Sequence, residues 1–181
     1  MRIISGTHKS LRITAPKNLP VRPTTDFAKE SIFNILNNYY YFDEIRVLDL
    51  FAGIGSISYE FASRDCTDIT AVDNHPGCVQ FIESTVNQLK MSDAISVLNV
   101  DVFDFVERCD EKFDVIFCDP PFAMENIEDI PVKVMAKDML NDGGLLIIEH
   151  GPKTDLGELP FFDQVRKYGN IRFSMFKKET A

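Results

Sequence analysis

The residues of this 181-residue chain with the clearest chemical potential are acids standing where short apolar runs end. Asp49-Leu50-Phe51-Ala52-Gly53-Ile54-Gly55 closes the first run, and Asp73 closes the second, 20 residues after Gly53. Asp101 follows the third run, and Asp119-Pro120-Pro121-Phe122 follows the fourth. Glycines between a strand and a helix allow unusual dihedrals and leave room for a ligand at the helix N-terminus. An acid at the end of the next strand suits two ribose hydroxyls. Asp101 has two readings: acceptor for an adenine amino group, with Val102 and Phe103 beside the ring, or N-cap of the following helix. The two prolines fix the backbone and remove two N–H donors, leaving carbonyls to face a substrate. An exocyclic amine is a poor nucleophile because its lone pair is delocalised into the base. The Asp119 carboxylate and the Pro120 carbonyl can draw that nitrogen toward a tetrahedral form, while Phe122 stacks on a base taken out of its helix.

The nucleotide can be narrowed by charge. A dinucleotide fingerprint has a third glycine where Ser58 stands, and the chain has no Gly-Lys-Ser/Thr phosphate loop. Asp49, on the strand before the glycines, would repel a pyrophosphate but can face an ammonium group. This favours S-adenosylmethionine. Cofactor-binding candidates are therefore Asp49, Phe51, Gly53, Gly55, Asp73, Asn74, Asp101 and Val102, and the catalytic candidates are Asp119, Pro120, Pro121 and Phe122.

These acids need a scaffold that brings strand ends together. Val47–Phe51, Ile69–Asp73, Ile95–Asn99, Phe113–Cys118 and Gly144–Glu149 read as strands rich in Val and Ile. Segments of about 57–64, 75–90, 102–109 and 127–139 between them read as helices, the alternation of a parallel sheet covered on both faces. Phe161–Lys167 and Ile171–Lys177, joined at Tyr168-Gly169-Asn170, read as an antiparallel hairpin. The expected fold is α/β: a doubly wound, mostly parallel, seven-stranded Rossmann-like sheet with a C-terminal hairpin. Ahead of it, residues 2–15 read as short strands or an irregular arm, and Pro16, Pro20 and Pro23 as a stiff linker. A helix over about 26–39 follows, with N-cap candidates in Thr24-Thr25-Asp26. The expected division is a basic extension over 1–42 and a catalytic domain over 43–181.

Hydrophobic residues form 45% of the chain and charged residues 26%, enough to build a core. The net charge of −9 disfavours nucleic acid until its distribution is seen. Residues 1–22 carry +5 and residues 163–181 carry +3, against −17 for the middle. If the termini meet in space, a basic patch forms on an acidic body. No apolar run approaches the roughly 18 residues of a membrane span, and the N-terminus lacks a signal-peptide apolar stretch, so a cytoplasmic location is expected. The four cysteines show no Cys-x-x-Cys spacing, which suggests neither a zinc site nor a disulfide framework, and Cys118 reads as a core residue.

With these residues assembled, the chain resembles a known family. Asp119-Pro120-Pro121-Phe122 looks like the Asn/Asp-Pro-Pro-aromatic motif of methyltransferases acting on planar amino groups, and Asp49 to Gly55 resembles their S-adenosylmethionine loop. Arg2-Ile3-Ile4-Ser5-Gly6 and Arg22-Pro23-Thr24-Thr25-Asp26, with Glu30 and Phe33-Asn34, narrow the likeness to the small-subunit (16S) rRNA guanine-N2 methyltransferases of the RsmD type. The resemblance implies methyl transfer from S-adenosylmethionine to the N2 amine of one guanine. It places Asp49, Gly53 and Gly55 at the methionine end, Asp73 at the ribose, Asp101 at the adenine and Asp119 to Phe122 at the target amine. It also implies RNA contacts from Arg2, Lys9, Arg12, Arg22 and Thr24, small-subunit rRNA in an assembling 30S particle as partner, a monomer, and no metal. Two other readings stay open: a DNA or other RNA amino-methyltransferase with the same loop, and a non-catalytic ribosome-assembly module with a vestigial pocket.

Overall fold

The computed structural model describes residues 1–180. Its centre is a seven-stranded sheet in the order β3-β2-β1-β4-β5-β7-β6. β1 (Arg46–Leu50), β2 (Asp68–Asp73), β3 (Ile95–Asn99), β4 (Phe113–Cys118) and β5 (Leu140–His150) run parallel. β6 (Phe162–Tyr168) and β7 (Ile171–Lys177) form the expected hairpin, with β7 antiparallel to β5. β5 extends four residues earlier than the apolar run that announced it, because Leu140 already pairs with Phe113 across a register shift.

Alternation along the strands divides the core in two, since successive side chains point to opposite faces. Val47, Ile69, Val115, Phe117, Ile147 and Phe173 face one side; Leu48, Leu50, Ile116, Cys118, Ile148 and Phe176 face the other. α2 (Ser56–Ser63) and α3 (Pro76–Gln88) cover the first face, and α4 (Val102–Arg108) and α5 (Asp129–Ala136) the second. Cys118 is fully buried in the second core.

α1 (Asp26–Leu36) is capped by Thr25, whose side chain accepts from the Ala28 N–H, and it ends three residues before the expected Tyr39. Residues 1–42, set apart in the sequence as an extension, supply Ile3, Ile13, Ala28, Ile32, Phe33 and Leu36 to the same core as β1 and β2. The first residues form a small hairpin-like arm bridged at Arg2 and Arg12. Its anchor is an ion pair with no solvent exposure: Lys29 Nζ lies 3.7 Å from Glu60 and donates to the Arg2 carbonyl at 2.6 Å. Glu60 in turn accepts from the N–H groups of Ile4 and Ser5. Both charges are thus satisfied, which a buried pair requires. At Gly6 (φ 86°) a Cβ would sit 1.7 Å from the Ser63 carbonyl oxygen, so only glycine lets the arm lie this close to α2.

Candidate active site

The parallel strands all end on one side, and the order 2-1-4 makes β1 and β4 neighbours whose helices leave toward opposite faces. Crevices at such switch points hold ligands in open α/β sheets. A cavity of about 530 Å³ opens there, within the roughly 300–1,000 Å³ range of small-molecule sites.

Its floor is the turn from β1 into α2. Phe51 (φ 55°), Gly53 (φ 58°) and Gly55 (φ 85°) take left-handed dihedrals, and a Cβ on Gly55 would lie 2.6 Å from the Tyr59 ring. Asp73 ties this turn down: its two carboxylate oxygens accept from the Gly53 and His75 N–H groups, each at 2.9 Å. Phe51, Gly53, Asp73 and Asn74 all line the cavity; Gly55 lies just behind, as N-cap of α2.

Asp49, Asp119 and Glu149 enter the same space from the ends of β1, β4 and β5. Burial pushes the Asp49 carboxyl up to about 7, partly opposed by Ser58, whose hydroxyl donates to it at 2.6 Å. Burial, then the charges of Glu149 and Asp49, hold the Asp119 carboxyl well above the usual carboxylate range. Glu149 rises to about 7 by burial, against the Thr24 hydroxyl that donates to it at 2.6 Å and the Arg22 charge. Three desolvated carboxyls, with Asp73 beside them, make a cavity whose field favours a cation and disfavours a pyrophosphate. A ligand carrying both an ammonium and a sulfonium fits this donor set.

Asp119 is held by its own N–H, which donates to the Leu50 carbonyl at 3.2 Å, so the catalytic candidate is tied to the glycine turn's strand. Pro120, Pro121 and Phe122 line the same cavity. The Phe122 ring is 44% exposed and lies over Gly151, where a Cβ would approach it to 3.4 Å. An aromatic face is thus presented at the mouth.

The remaining candidates divide between the cavity wall and other places. Asp101 caps α4, its Oδ1 accepting from the Phe103 and Asp104 N–H groups, and it is not among the cavity-lining residues; the capping reading describes its geometry here. Val102 is buried in the second core and is not among the cavity-lining residues. Thr24, expected at RNA, is 5% exposed with its hydroxyl committed to Glu149. Arg22 lines the cavity, Arg2 pairs with Asp26 at 3.1 Å, and Lys9 and Arg12 are exposed on the arm. Lys9 stands in the tip that packs on Ser63, at the far end of α2 from the cavity. Sequence reasoning missed Glu149, although it is one more acid ending an apolar run. Ser58, weighed only as a missing glycine, proves to be the partner of Asp49.

Against known proteins, residues 1–177 match the family described as Conserved hypothetical protein 95. The chain belongs to that family. A Bacillus subtilis relative, YlbH, named as a candidate rRNA methyltransferase, is 32% identical over 98% of this chain and 99% of its own length. Ribosomal RNA small subunit methyltransferase D of Escherichia coli strain K12 is 25% identical over 99% of this chain and 90% of its own. The solved structure of the Escherichia coli protein yhhF, a candidate methyltransferase, superposes with a TM-score of 0.86 at 25% identity, covering 100% and 99% of the two chains. The fold also matches a Salinibacter ruber RNA methyltransferase solved with S-adenosyl-L-homocysteine, at a TM-score of 0.68 and 13% identity over 88% and 95% of the chains. Among the described residues no helix is long and apolar enough to cross a membrane, and no cluster of potential metal ligands occurs.

Proposed function

We propose that this protein transfers a methyl group from S-adenosylmethionine to the exocyclic N2 amine of a guanine in small-subunit ribosomal RNA. The observation that carries the reading is the placement of Asp119-Pro120-Pro121-Phe122 on the wall of a desolvated, acidic cavity whose floor is the glycine turn. The rRNA methyltransferase names of its relatives supply the substrate class.

The cofactor brings an electrophilic methyl group on a positively charged sulfur. Asp49 would hold its ammonium, and Asp73 would offer the free lone pairs of its two oxygens to the ribose. With a cationic ligand in the cavity to offset its burial, the Asp119 carboxylate and the Pro120 carbonyl would accept hydrogen bonds from the target amine, whose surplus proton leaves to solvent after methylation. They localise its lone pair and align it, a contribution made mostly in the transition state. Phe122 stacks on the extruded base and excludes water from the reacting nitrogen. RNA in an assembling small subunit, before its bases are covered, is the partner this reading takes. The experiment is mass mapping of modified nucleotides in small-subunit rRNA from cells with and without the gene. A guanine that loses one N2 methyl in the deletion strain, and regains it on complementation, supports the reading; identical maps refute it.

A further inference from the structure

The cavity needs a macromolecular partner seated over it, and the rim offers a surface that the expected RNA contacts on the arm do not include. β5 ends at His150, which pairs with Arg172, so the turn of the β6–β7 hairpin projects on the cavity side of the sheet. Ile171, in that turn region, lines the cavity itself. Across from it, α1 starts just after Arg22, Pro23 and Thr24, which line the cavity too. Where the two meet, Phe27 stands 68% exposed, edge-on to Tyr168 with ring centroids 5.7 Å apart. Tyr168 in turn packs on the fully buried Phe173 at 5.7 Å, which fixes the pair to the core.

Its surroundings are cationic. Arg166, two residues before Tyr168, shares its face of the hairpin, and Arg22 lies on the facing segment; Lys167 and Arg172, paired across β6 and β7, project from the opposite face. Among the described residues neither Arg22 nor Arg166 has a carboxylate within 4.0 Å, unlike Arg2, Arg46, Arg64, Lys112 and Lys178. Asp26, the acid nearest in sequence to Phe27, is already paired with Arg2. Free cations around a rigid, exposed aromatic are what a single-stranded nucleic acid uses: phosphates meet the cations and a base stacks on the ring.

We propose that the Phe27–Tyr168 pair, with Arg22 and Arg166, is the docking surface for the single-stranded RNA flanking the target guanine. It rests on the RNA reading above and adds the face by which the strand enters. Phe122 at the mouth and Phe27 on the rim then hold successive stretches of one strand. The arm tip at Lys9, at the far end of α2, lies off this path.

The test uses the full chain and undermethylated small-subunit rRNA. Phe27→Ala, Arg166→Gln and Lys9→Gln are compared for RNA affinity at several salt concentrations, for S-adenosylmethionine affinity, and for methyl transfer. Phe27→Ala is expected to weaken RNA binding roughly tenfold, and Phe27→Trp to restore it. Arg166→Gln should flatten the log-log salt slope by about 0.7, the share of one single-strand contact. Cofactor affinity, and the transfer rate at saturating RNA, should stay at wild-type values. RNA affinity and salt slope unchanged in both variants, or a loss confined to Lys9→Gln, overturns the proposal. Failure of the wild type itself to bind or methylate the rRNA instead overturns the proposed function, and this surface with it.

Discussion

Replacing Asp73 by alanine separates two roles that one carboxylate plays. Its oxygens accept from the Gly53 and His75 N–H groups at 2.9 Å, so it holds the glycine turn before any ligand arrives. Hydrogen bonds to a charged group are worth about 1.5–3 kcal/mol each. Asp73 is only half-buried, and water can replace part of both bonds, so a net loss of about 2 kcal/mol is expected. For a chain of this size that lowers Tm by about 4–8 °C. Binding suffers separately, through the lost ribose acceptor and a looser turn, by about tenfold or more. Asp73→Asn keeps one acceptor but turns an amide donor toward one of the two N–H groups, so it should fall between in both measurements. Melting without ligand reads the first role, and calorimetry with S-adenosylmethionine reads the second. Wild-type cofactor affinity in Asp73→Ala would refute the assignment of Asp73 to the ligand. A wild-type Tm would refute its hold on the turn.

Burial raises the folded-state pKa of Asp49 to about 7, above its unfolded value near 3.9, so its contribution to stability is fully present below about pH 4 and lost as pH rises through 7. Asp49→Asn, free of cofactor, should therefore gain several-fold more in melting temperature over the wild type at pH 8 than at pH 5, while binding S-adenosylmethionine more weakly at pH 8. For the same reason wild-type affinity for this cation should rise from pH 6 to pH 8 as Asp49 and Glu149 ionise, which titration calorimetry at both pH values reads. Lys29→Met leaves Glu60 with Arg64 but without its buried partner and releases the Arg2 carbonyl; a loss of about 3 kcal/mol, or about 6–12 °C in Tm, is expected by thermal denaturation. Phe122→Ala should slow single-turnover methyl transfer by about 1–3 kcal/mol of barrier through loss of a stacking face, with the fold unchanged by circular dichroism.

Much of the scaffold was legible because its strands are apolar runs of strand length separated by helix-length segments. Even the hairpin turn at Gly169-Asn170 followed from local signals. Asp49, Asp73 and Asp119 were legible as strand-end acids, and Asp101 belongs to the same series, yet its oxygen turns to its own helix. A position at a strand end does not fix where a short side chain points; the competing backbone N–H groups do. Glu149 was hidden as the last letter of an apolar run, and its importance comes from Thr24, 125 residues away. Lys29 and Glu60 were illegible for the same reason: helical charges normally read as solvated, and only the tertiary contact buries this pair. The basic arm was visible as composition, but its anchoring on α2, which sets Lys9 apart from the cavity, was not.

The most direct test of the account is single-turnover methyl transfer from labelled S-adenosylmethionine to undermethylated small-subunit rRNA, comparing the wild type with Asp119→Asn and Asp119→Ala at saturating cofactor. The carboxylate and the carbonyl of asparagine can both accept from the amine, and alanine cannot. The expected order is wild type, then Asn, slower by about 1–3 kcal/mol of barrier, then Ala with no transfer, all three melting as folded proteins. Transfer by Asp119→Ala at the wild-type rate would contradict the assignment of Asp119-Pro120-Pro121-Phe122 as the reacting loop, and the enzymatic reading built on it.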